Sequence, residues 1–397
     1  MVFETTGKEL TSITEWEISS NYLTSADGFS FTAVADNMDD LRNLELQPVE
    51  LKVNGCSQVL GRIDKTTMGG NGTAVSFWGR DYIADLVECN VDPTLKIKTG
   101  DSIAAAFTAA AGPVGIDTVI SDDDLAMRNV RTGVSVKFAK GGRGYAKRIL
   151  QEYKPKKGEG LYEFLNRLIQ RFGATIQPGN DRNTLIITAP HYQQEPTYSV
   201  FRSTDPAISS VNNVISSTAD RDYSSFPTFA LFTGWAAQND DQGVASQQAY
   251  DINNLAELQN SEIARILADS TIPGRRKPNG SDSIGLGQLY RLLYLHDHEA
   301  RSQEQVSYSA LRAIADRLKT TLEYKCTLRG HVDPVSGAVW SVDTMVNVAD
   351  EICNVFEPLW IVERTLKMNP KEGATTELVC YRPASFQFGN LDGTQGQ

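Results

Sequence analysis

The stretch "SFWGRDYIADLVECN", residues 76–90, joins an apolar strand pattern to a short helical pattern. Phe77 and Trp78 end the strand pattern, Gly79 permits a turn, and Asp81 is placed to cap the helix that follows. The apolar face of this helix is formed by Ile83, Leu86 and Val87. The stretch therefore predicts a change of architecture near residue 90.

The charged residues of this stretch need no catalytic explanation. Arg80 and Asp85 are left to pair with neighbouring side chains, and no nucleophile–base pair is required. Aromatic and arginine side chains are also those that buried interfaces favour. We therefore interpret the stretch as a structural corner, with Trp78, Arg80, Asp85 and the earlier Trp16 as candidate structural or interface residues.

Length and charge limit the class of protein. A chain of 397 residues is too long for one ordinary core, and no apolar run approaches the ~18 residues of a membrane span. The net charge of −11 argues against nucleic acid as the main partner, because phosphate binding needs a basic surface. The acidic N-terminus without an apolar segment and the scattered cysteines indicate reduced thiols and assembly in a cytoplasm.

One basic segment runs against the acidic composition. Residues 137–157 hold eight Lys or Arg and a single acidic residue. A solvated basic face is one interpretation, and a docking patch for an acidic partner surface is the other. Lys147 and Arg148 are the candidate interface residues of this segment.

The patterns outside the corner predict an α+β fold, mainly β. Alternation of Phe29, Phe31 and Ala33 and the Asn54-Gly55 turn predict hairpins, hence a small barrel or sandwich over residues 1–90. We expect strands near 193–217 to complete this unit.

An α/β insert is predicted over residues 91–192. It contains a helix capped by Asp101 or Ser102 and stopped at Gly112, an amphipathic helix over 161–172, and a strand over 183–190.

The remaining chain predicts a second β unit. It begins over 218–295 with a long polar loop at 236–290, is interrupted by a helical segment over 296–320, and continues over 321–388. A flexible tail is expected over 389–397. The two β units resemble each other as turn-separated hairpins, without a strict sequence repeat.

The chain offers few candidates for catalysis or cofactor binding. It has four histidines and neither a GxSxG nor an HExxH motif. His296 and His298 would share a face of a strand and could hold a metal with Asp297 or Glu299, but no third ligand is evident. The preferred role for this cluster is a polar interface network, with Asp297 or Glu299 pairing with Arg301. We predict no enzyme activity, no metal site and no cofactor.

Taken in order, the motifs resemble a known family. They are "VELKVNGCSQVLGRID", the corner stretch, "GEGLYEFLNRLIQRFG", "HDHEARS", "RGHVDPVSGAVWSVDTMVNVADE" and "LWIVERTLKM". This order resembles the baseplate central hub proteins of contractile phage tails, of the Mu-like type. It is more distantly similar to the N-terminal part of type VI secretion spike proteins. The resemblance covers roughly residues 10 to 388.

The resemblance implies an architecture and a set of partners. It implies two similar β-barrels with an α/β insert domain and a small helical domain, and a homotrimer whose six barrels form a ring around a channel. The partners implied are a hexameric tail tube or tube-terminating protein, a trimeric central spike and baseplate wedge proteins, with DNA passing without specific binding. The expected location is the virion tail baseplate, and the alternative is a cell-wall binding module or hydrolase at the tail tip.

Overall fold

The structure is a computed structural model. It describes residues 2–34 (except 6, 7, 11 and 25), 44–68, 74–121 (except 99), 152–169, 174–225 (except 180, 189, 192 and 193), 229–234, 247–251, 292–297, 313, 317 and 319–383. The predicted tail 389–397 and most of the predicted helix 308–320 lie outside these residues. All five cysteines are free thiols.

Strands dominate the described chain. In order they are β1 (Val2–Thr5), β2 (Lys8–Leu10), β3 (Ile13–Asn21), β4 (Gly28–Val34), β5 (Pro48–Val53), β6 (Cys56–Met68), β7 (Ala74–Asp81), β8 (Thr118–Ser121), β9 (Thr175–Pro178), β10 (Thr184–Thr188), β11 (Tyr198–Arg202), β12 (Val214–Asp220), β13 (Phe229–Gly234), β14 (Gln247–Asp251), β15 (Leu292–Asp297), β16 (Glu323–Arg329), β17 (Thr344–Asp350), β18 (Val355–Asn369) and β19 (Gly373–Tyr381). The helices are α1 (Ile83–Glu88), α2 (Ile103–Ala111) and α3 (Leu161–Ile169).

One large sheet contains strands from both the N-terminal and the C-terminal part of the chain. Its order is β12-β16-β19-β18-β3-β4-β7-β6-β5-β1-β2, with β17 pairing with both β18 and β11. We call β1–β7 the N-terminal half and β11, β12 and β16–β19 the C-terminal half. The long strand β18 joins the halves, because its residues 355–361 pair with β17 and its residues 363–368 pair with β3.

Local sequence chemistry explains the hairpins of the N-terminal half. Phe29, Phe31 and Ala33 are all buried, as their alternation predicts. Asn54 and Gly55 both have positive φ, 51° and 78°, at the tight turn between β5 and β6. This is the backbone that an Asn-Gly two-residue hairpin requires, so the predicted turn is confirmed.

The sequence predicts that strands near 193–217 complete the N-terminal unit, but these strands lie elsewhere. Strand β11 pairs in parallel with β17, and β12 pairs antiparallel with β16, so both belong to the C-terminal half. The N-terminal half is extended instead by β18. The physical reason is that β18 is long enough to pair with a different neighbour along each part of its length.

The edge strands of the C-terminal half come together at Asn213. Its side chain accepts from Phe201 N at 2.9 Å and donates to Ser199 O at 2.7 Å, while its backbone O accepts from Arg329 N at 3.0 Å. Asn213 therefore bridges β11 to the sheet edge formed by β12 and β16. The core beneath contains Tyr324, Trp340 and Leu359.

The described residues of the predicted insert contribute to one hydrophobic cluster, and this cluster also includes residues of α1. Ile83 and Leu86 of α1 pack in one cluster with α2, α3 and the three-stranded sheet β8-β10-β9. Ser102, one of the two predicted caps, accepts from Ala105 N at 3.1 Å. The α-helix ends at Ala111 with Gly112 as its C-cap residue, as predicted. Residues 112–114 continue as a 3₁₀ turn, and Gly115 has the positive φ.

A second three-stranded sheet, β14-β13-β15, occupies part of the region predicted to be a long loop. Residues 247–251 form a strand here, and the rest of 236–290 lies outside the described residues. His296 and Asp297 are the last residues of β15, whereas the sequence predicts a helical segment from residue 296. Pairing with Thr233 and Gly234 of β13 accounts for their extended backbone.

Candidate functional site

The corner predicted from the sequence is built on the carboxylate of Asp81. This residue ends β7 and is 3% exposed. Its Oδ1 accepts from Ile83 N at the start of α1, and its Oδ2 accepts from Asp27 N, both at 3.1 Å. The N-cap residue of α1 is Tyr82 rather than the predicted Asp81, but Asp81 accepts from the first N–H of the helix and ties it to the loop between β3 and β4.

A second carboxyl group adjoins Asp81. Asp27 Oδ1 accepts from Asn21 N at 3.1 Å, and the Ser20 hydroxyl also bonds to Asp27. Burial, together with the neighbouring Asp27 charge, raises the pKa of Asp81 to about 8. Burial also raises the pKa of Asp27. The Asp81 carboxyl group therefore holds a proton near neutral pH.

Gly79 has a different role from the one the sequence suggests. It lies within β7 without positive φ, so it does not serve as a turn. A Cβ atom at this position would lie 2.1 Å from Arg62 O and 2.2 Å from Cζ of Phe29. Glycine is required because strand β6 and the Phe29 ring approach the backbone closely.

An ion cluster covers the outer side of the corner. Asp64 accepts from Arg62 Nε at 3.0 Å and from Arg80 Nε at 2.6 Å. Arg62 also pairs with Asp85 and, at 2.5 Å, with Glu88, while Arg80 pairs with Glu88 as well. The cluster joins β6, β7 and α1, and it satisfies the pairing predicted for Arg80 and Asp85.

The pKa shifts follow from these contacts. Hydrogen bonds to Asp64 and Glu88 raise the pKa of the Arg80 guanidinium. Burial alone would raise the pKa of Asp64, but the hydrogen bonds from Arg80 and Arg62 hold it below its usual value. Arg62, Arg80, Asp64 and Glu88 are therefore charged at neutral pH, and the cluster fixes α1 against the sheet.

Trp78 lies on the outer face of the sheet and is 40% exposed. Across the strands its register neighbours are Ser30 and then Glu17. The ammonium of Lys65 lies 5.2 Å from the centre of the Trp78 ring. Trp78, Glu17 and Lys367 help line a groove of about 270 Å³. This aromatic side chain is available for contact with another molecule.

Trp16, unlike Trp78, is not exposed for contact with another molecule. It is 7% exposed and packs inside the N-terminal half, with its ring centre 4.9 Å from that of His331. Its role is therefore packing between the two halves of the sheet.

Asp343 organises the start of β17. Its Oδ1 accepts from His191 N at 2.7 Å and from Trp360 Nε1 at 3.0 Å, and its Oδ2 lies 2.6 Å from His191 Nδ1. Its backbone has a positive φ of 58°. The Asp of the "WSVDT" sequence therefore ties the end of the insert to the C-terminal half.

Asp350 and Glu351 have a similar structural role at the other end of β17. Asp350 accepts from Tyr324 Oη at 2.8 Å and from the backbone N of Ile352 at 2.9 Å. Glu351 accepts from Thr204 N at 2.8 Å. The acidic pair of the "VADE" sequence thus fixes a turn and its neighbouring loop.

Arg364 is buried at the junction of the two halves, with 4% exposure. Its guanidinium donates to Ser20 Oγ at 2.7 Å, Gln58 Oε1 at 2.6 Å and Trp340 O at 2.9 Å. Burial lowers the pKa of this guanidinium. A buried cation therefore links β3, β6 and the loop before β17.

Several predicted residues are not brought into this arrangement. His296 and Asp297 lie on β15, in the separate three-stranded sheet. His298, Glu299, Arg301, Lys147 and Arg148 lie outside the described residues, so their interface roles remain predictions. Within the described ranges there is no group of three or more His, Cys, Asp or Glu side chains suited to a metal ion.

Arg62, Asp64 and Arg364 are not among the candidate residues predicted from the sequence. Arg62 and Asp64 stand two apart in a strand, which places them on one face. This two-residue spacing indicates that Arg62 and Asp64 share a face of the strand. Their partners on β7 and α1, however, depend on the strand register, which the spacing does not give. Arg364 carries no such local signal.

Among the described helices, none is long and apolar enough to cross a membrane.

Comparison with known proteins relies on structure alone. No family model and no curated protein matches the sequence. The tail protein from Neisseria meningitidis matches with a TM-score of 0.69 and 17% identity, over 97% of both chains. The 43 kDa tail protein of prophage MuSo2 from Shewanella oneidensis matches with a TM-score of 0.69 and 18% identity, over 97% of this chain and 98% of that chain.

The chain has the fold of a phage tail protein. A chain of the Francisella PdpA-VgrG complex also matches, with a TM-score of 0.53 and 10% identity, over 96% of this chain and 56% of that chain. The resemblance predicted from the sequence is therefore confirmed at the level of the fold. The match with each of the two tail proteins extends over nearly the whole chain.

Proposed function

We propose that this chain is a structural baseplate hub of a contractile phage tail. Three copies would form a ring joining a hexameric tail tube to a trimeric central spike and lining a channel for DNA. The observation that carries this proposal is the likeness in fold to two phage tail proteins over at least 97% of each chain. A non-enzymatic role, virion location and baseplate wedge partners belong to the same proposal.

The two halves of the sheet support the pseudo-sixfold part of the proposal. Each half supplies its own hydrophobic core, and β18 joins them in one sheet. Each half would act as one barrel, so three chains contribute six. Head-to-tail contacts that close into a ring do not continue into a filament.

The net charge of the chain supports the proposal that DNA passes through the channel without being bound. At −11 the chain repels the phosphate backbone rather than retaining it. Cryo-electron microscopy of the ring tests this directly. A channel wall with net positive charge would contradict the passage role.

The mass of the purified protein tests the ring. We expect about 130 kDa by mass photometry, three copies of 43.6 kDa, either alone or with co-expressed tube and spike proteins. A peptidoglycan zymogram tests the alternative, a cell-wall binding module or hydrolase at the tail tip. A protein that stays monomeric with these partners and clears peptidoglycan would overturn the hub proposal.

Trp78 is the proposed contact on the exposed face of the N-terminal half. Trp78→Ser should shift the mass distribution towards monomer, since exposed tryptophans surrounded by polar residues are frequent interface anchors. Phe356→Ser is the matched control, because Phe356 is an exposed aromatic (61%) in the C-terminal half. Equal effects of the two substitutions would contradict a specific role for Trp78.

A further inference from the structure

The loop between β3 and β4 is joined to the corner by contacts of two acidic residues. Asp27 N donates to Asp81 Oδ2 at 3.1 Å, and Asp81 N donates to Asp27 O at 3.0 Å. Beyond the buried Tyr22, apolar anchoring of the loop is slight, because Ala26 is only partly buried against the cluster of α1, α2 and α3 and Leu23 is 37% exposed. A segment with few buried apolar contacts can open locally while the rest of the fold persists.

These two residues also bring two carboxyl groups together. Asp81 Oδ1 accepts from Ile83 N and Asp27 Oδ1 accepts from Asn21 N, both at 3.1 Å, so each carboxyl group has a fixed position. Burial and the neighbouring Asp27 charge raise the pKa of Asp81 to about 8, and burial also raises the pKa of Asp27. The closed loop therefore retains a proton that two hydrated aspartates would release well below neutral pH.

Other titratable groups face the pair from β18 and α3. The guanidinium of Arg364 favours the ionised form of Asp27, and both side chains bond to the Ser20 hydroxyl. The phenol of Tyr162 is neutral, because burial and the charge of Asp81 raise the pKa of this phenol. The two guanidinium groups of the ion cluster are paired with the carboxylates of that cluster. The described neighbours of the pair therefore supply one positive charge, that of Arg364, for two carboxyl groups.

We propose that the β3–β4 loop is a proton-operated latch, which opens away from α1 as the Asp27–Asp81 pair releases a proton. Opening hydrates both carboxyl groups, and the released proton passes to hydroxide or to a buffer base in the solvent. The closed form binds more protons than the open form. Its advantage is complete below the pKa of a hydrated aspartate and is lost as pH rises through about 8. The ion cluster fixes α1 to β6 and β7 independently of the loop, so only the loop moves.

Hydrogen exchange measured by mass spectrometry on the full chain tests the latch without any variant. After correction for intrinsic base catalysis, protection of a peptide over residues 22–28 should fall about tenfold for each pH unit from 6 to 8 and then level off. Protection of residues 363–368 in β18 should exceed that of the loop at every pH, and urea below the unfolding transition should lower only the β18 value. Equal protection of the two segments would overturn the proposal, because the loop would then open only with the whole fold.

Two substitutions test whether the pair carries the pH dependence of loop protection. Asp81→Asn should abolish it, because the amide keeps an acceptor for Ile83 N but does not titrate. Asp27→Asn should shift its upper limit to lower pH, because the charge that helps to raise the pKa of Asp81 is removed. Asp92→Asn, at an exposed site, is the control and should change neither. A profile that is unchanged by Asp81→Asn, or not shifted by Asp27→Asn, would contradict the latch.

The latch goes beyond the hub function and concerns one loop within a single chain. Its exchange profile is measured whether the purified protein is a monomer or a ring, and the mass of the protein is measured separately. Failure of the latch and failure of the ring are therefore separate outcomes.

Discussion

The guanidinium of Arg364 donates to the hydroxyl of Ser20 at 2.7 Å, although the two residues are 344 positions apart. Both are buried, at 4% and 3% exposure. Ser20 in turn bonds to Asp27, whose backbone N donates to Asp81. The junction of the two halves is thereby connected to the corner at α1, and both are expected to be sensitive to substitution.

Loss of the Arg364 side chain should destabilise the fold. Arg364→Ala removes donors to Ser20, Gln58 and Trp340 and should lower the free energy of unfolding by about 3 kcal/mol. Urea denaturation measures this. Lys367→Ala on the same strand is the control and should cost less than about 1 kcal/mol, because its pairs with Glu17 and Glu377 are partly exposed. Equal losses would contradict a special role for the junction.

The stability of the fold should fall as pH rises from 6.5 to 8. The pKa of Asp81 is raised from 3.8 to about 8 in the folded chain, so in this window the folded state binds more protons than the unfolded state. The contribution is present below the unfolded pKa and is lost as pH rises through about 8, at roughly 1 kcal/mol per pH unit. Urea denaturation at both pH values measures the slope.

Asp81→Asn should flatten this slope, since the amide keeps an acceptor for Ile83 N but does not titrate. Asp92→Asn is the control, because the pKa of Asp92 is lowered and lies far below the window. An unchanged slope in Asp81→Asn would show that another group carries the pH dependence.

Gly79→Ala should be strongly destabilising. Its Cβ would lie 2.1 Å from Arg62 O and 2.2 Å from the Phe29 ring, so strand β6 or the ring must move. We expect a loss of about 3 kcal/mol or failure to fold, as for severe overpacking. Gly28→Ala on the adjacent strand has open space and should be tolerated, as thermal unfolding of the pair will show. A stable Gly79→Ala protein would contradict the close approach.

Reversing the charge of two residues in the basic segment 137–157 should weaken assembly of the proposed baseplate without altering the fold. The double substitution Lys147→Glu and Arg148→Glu removes two of eight positive charges in residues 137–157 and should repel an acidic partner surface. Co-purification with tube and spike proteins measures assembly, and circular dichroism measures folding. Lys96→Glu with Lys98→Glu is the control. Unchanged assembly would support the solvated-face interpretation.

Much of the local structure could be predicted from the sequence. The Asn54-Gly55 hairpin, the Ser102 cap and the buried face of α3 depend on neighbouring residues, and the structure confirms each of them. The corner at residues 76–90 is likewise a strand followed by a short helix, with the Asp81 carboxylate accepting from Ile83 N at the start of the helix. These features follow from turn geometry, capping and hydrophobic periodicity, which act within a few residues.

The sequence by itself determined that this chain is mainly β and that the stretch at residues 76–90 changes from a strand to a short helix. Only the tertiary structure decided that β18 joins both halves, that β11 and β12 belong to the C-terminal half, and that Gly79 is needed for close approach. The physical reason is that strand partners and register are set by hydrogen bonds between segments hundreds of residues apart. Local patterns specify which face of a strand is buried, but they do not specify its neighbour.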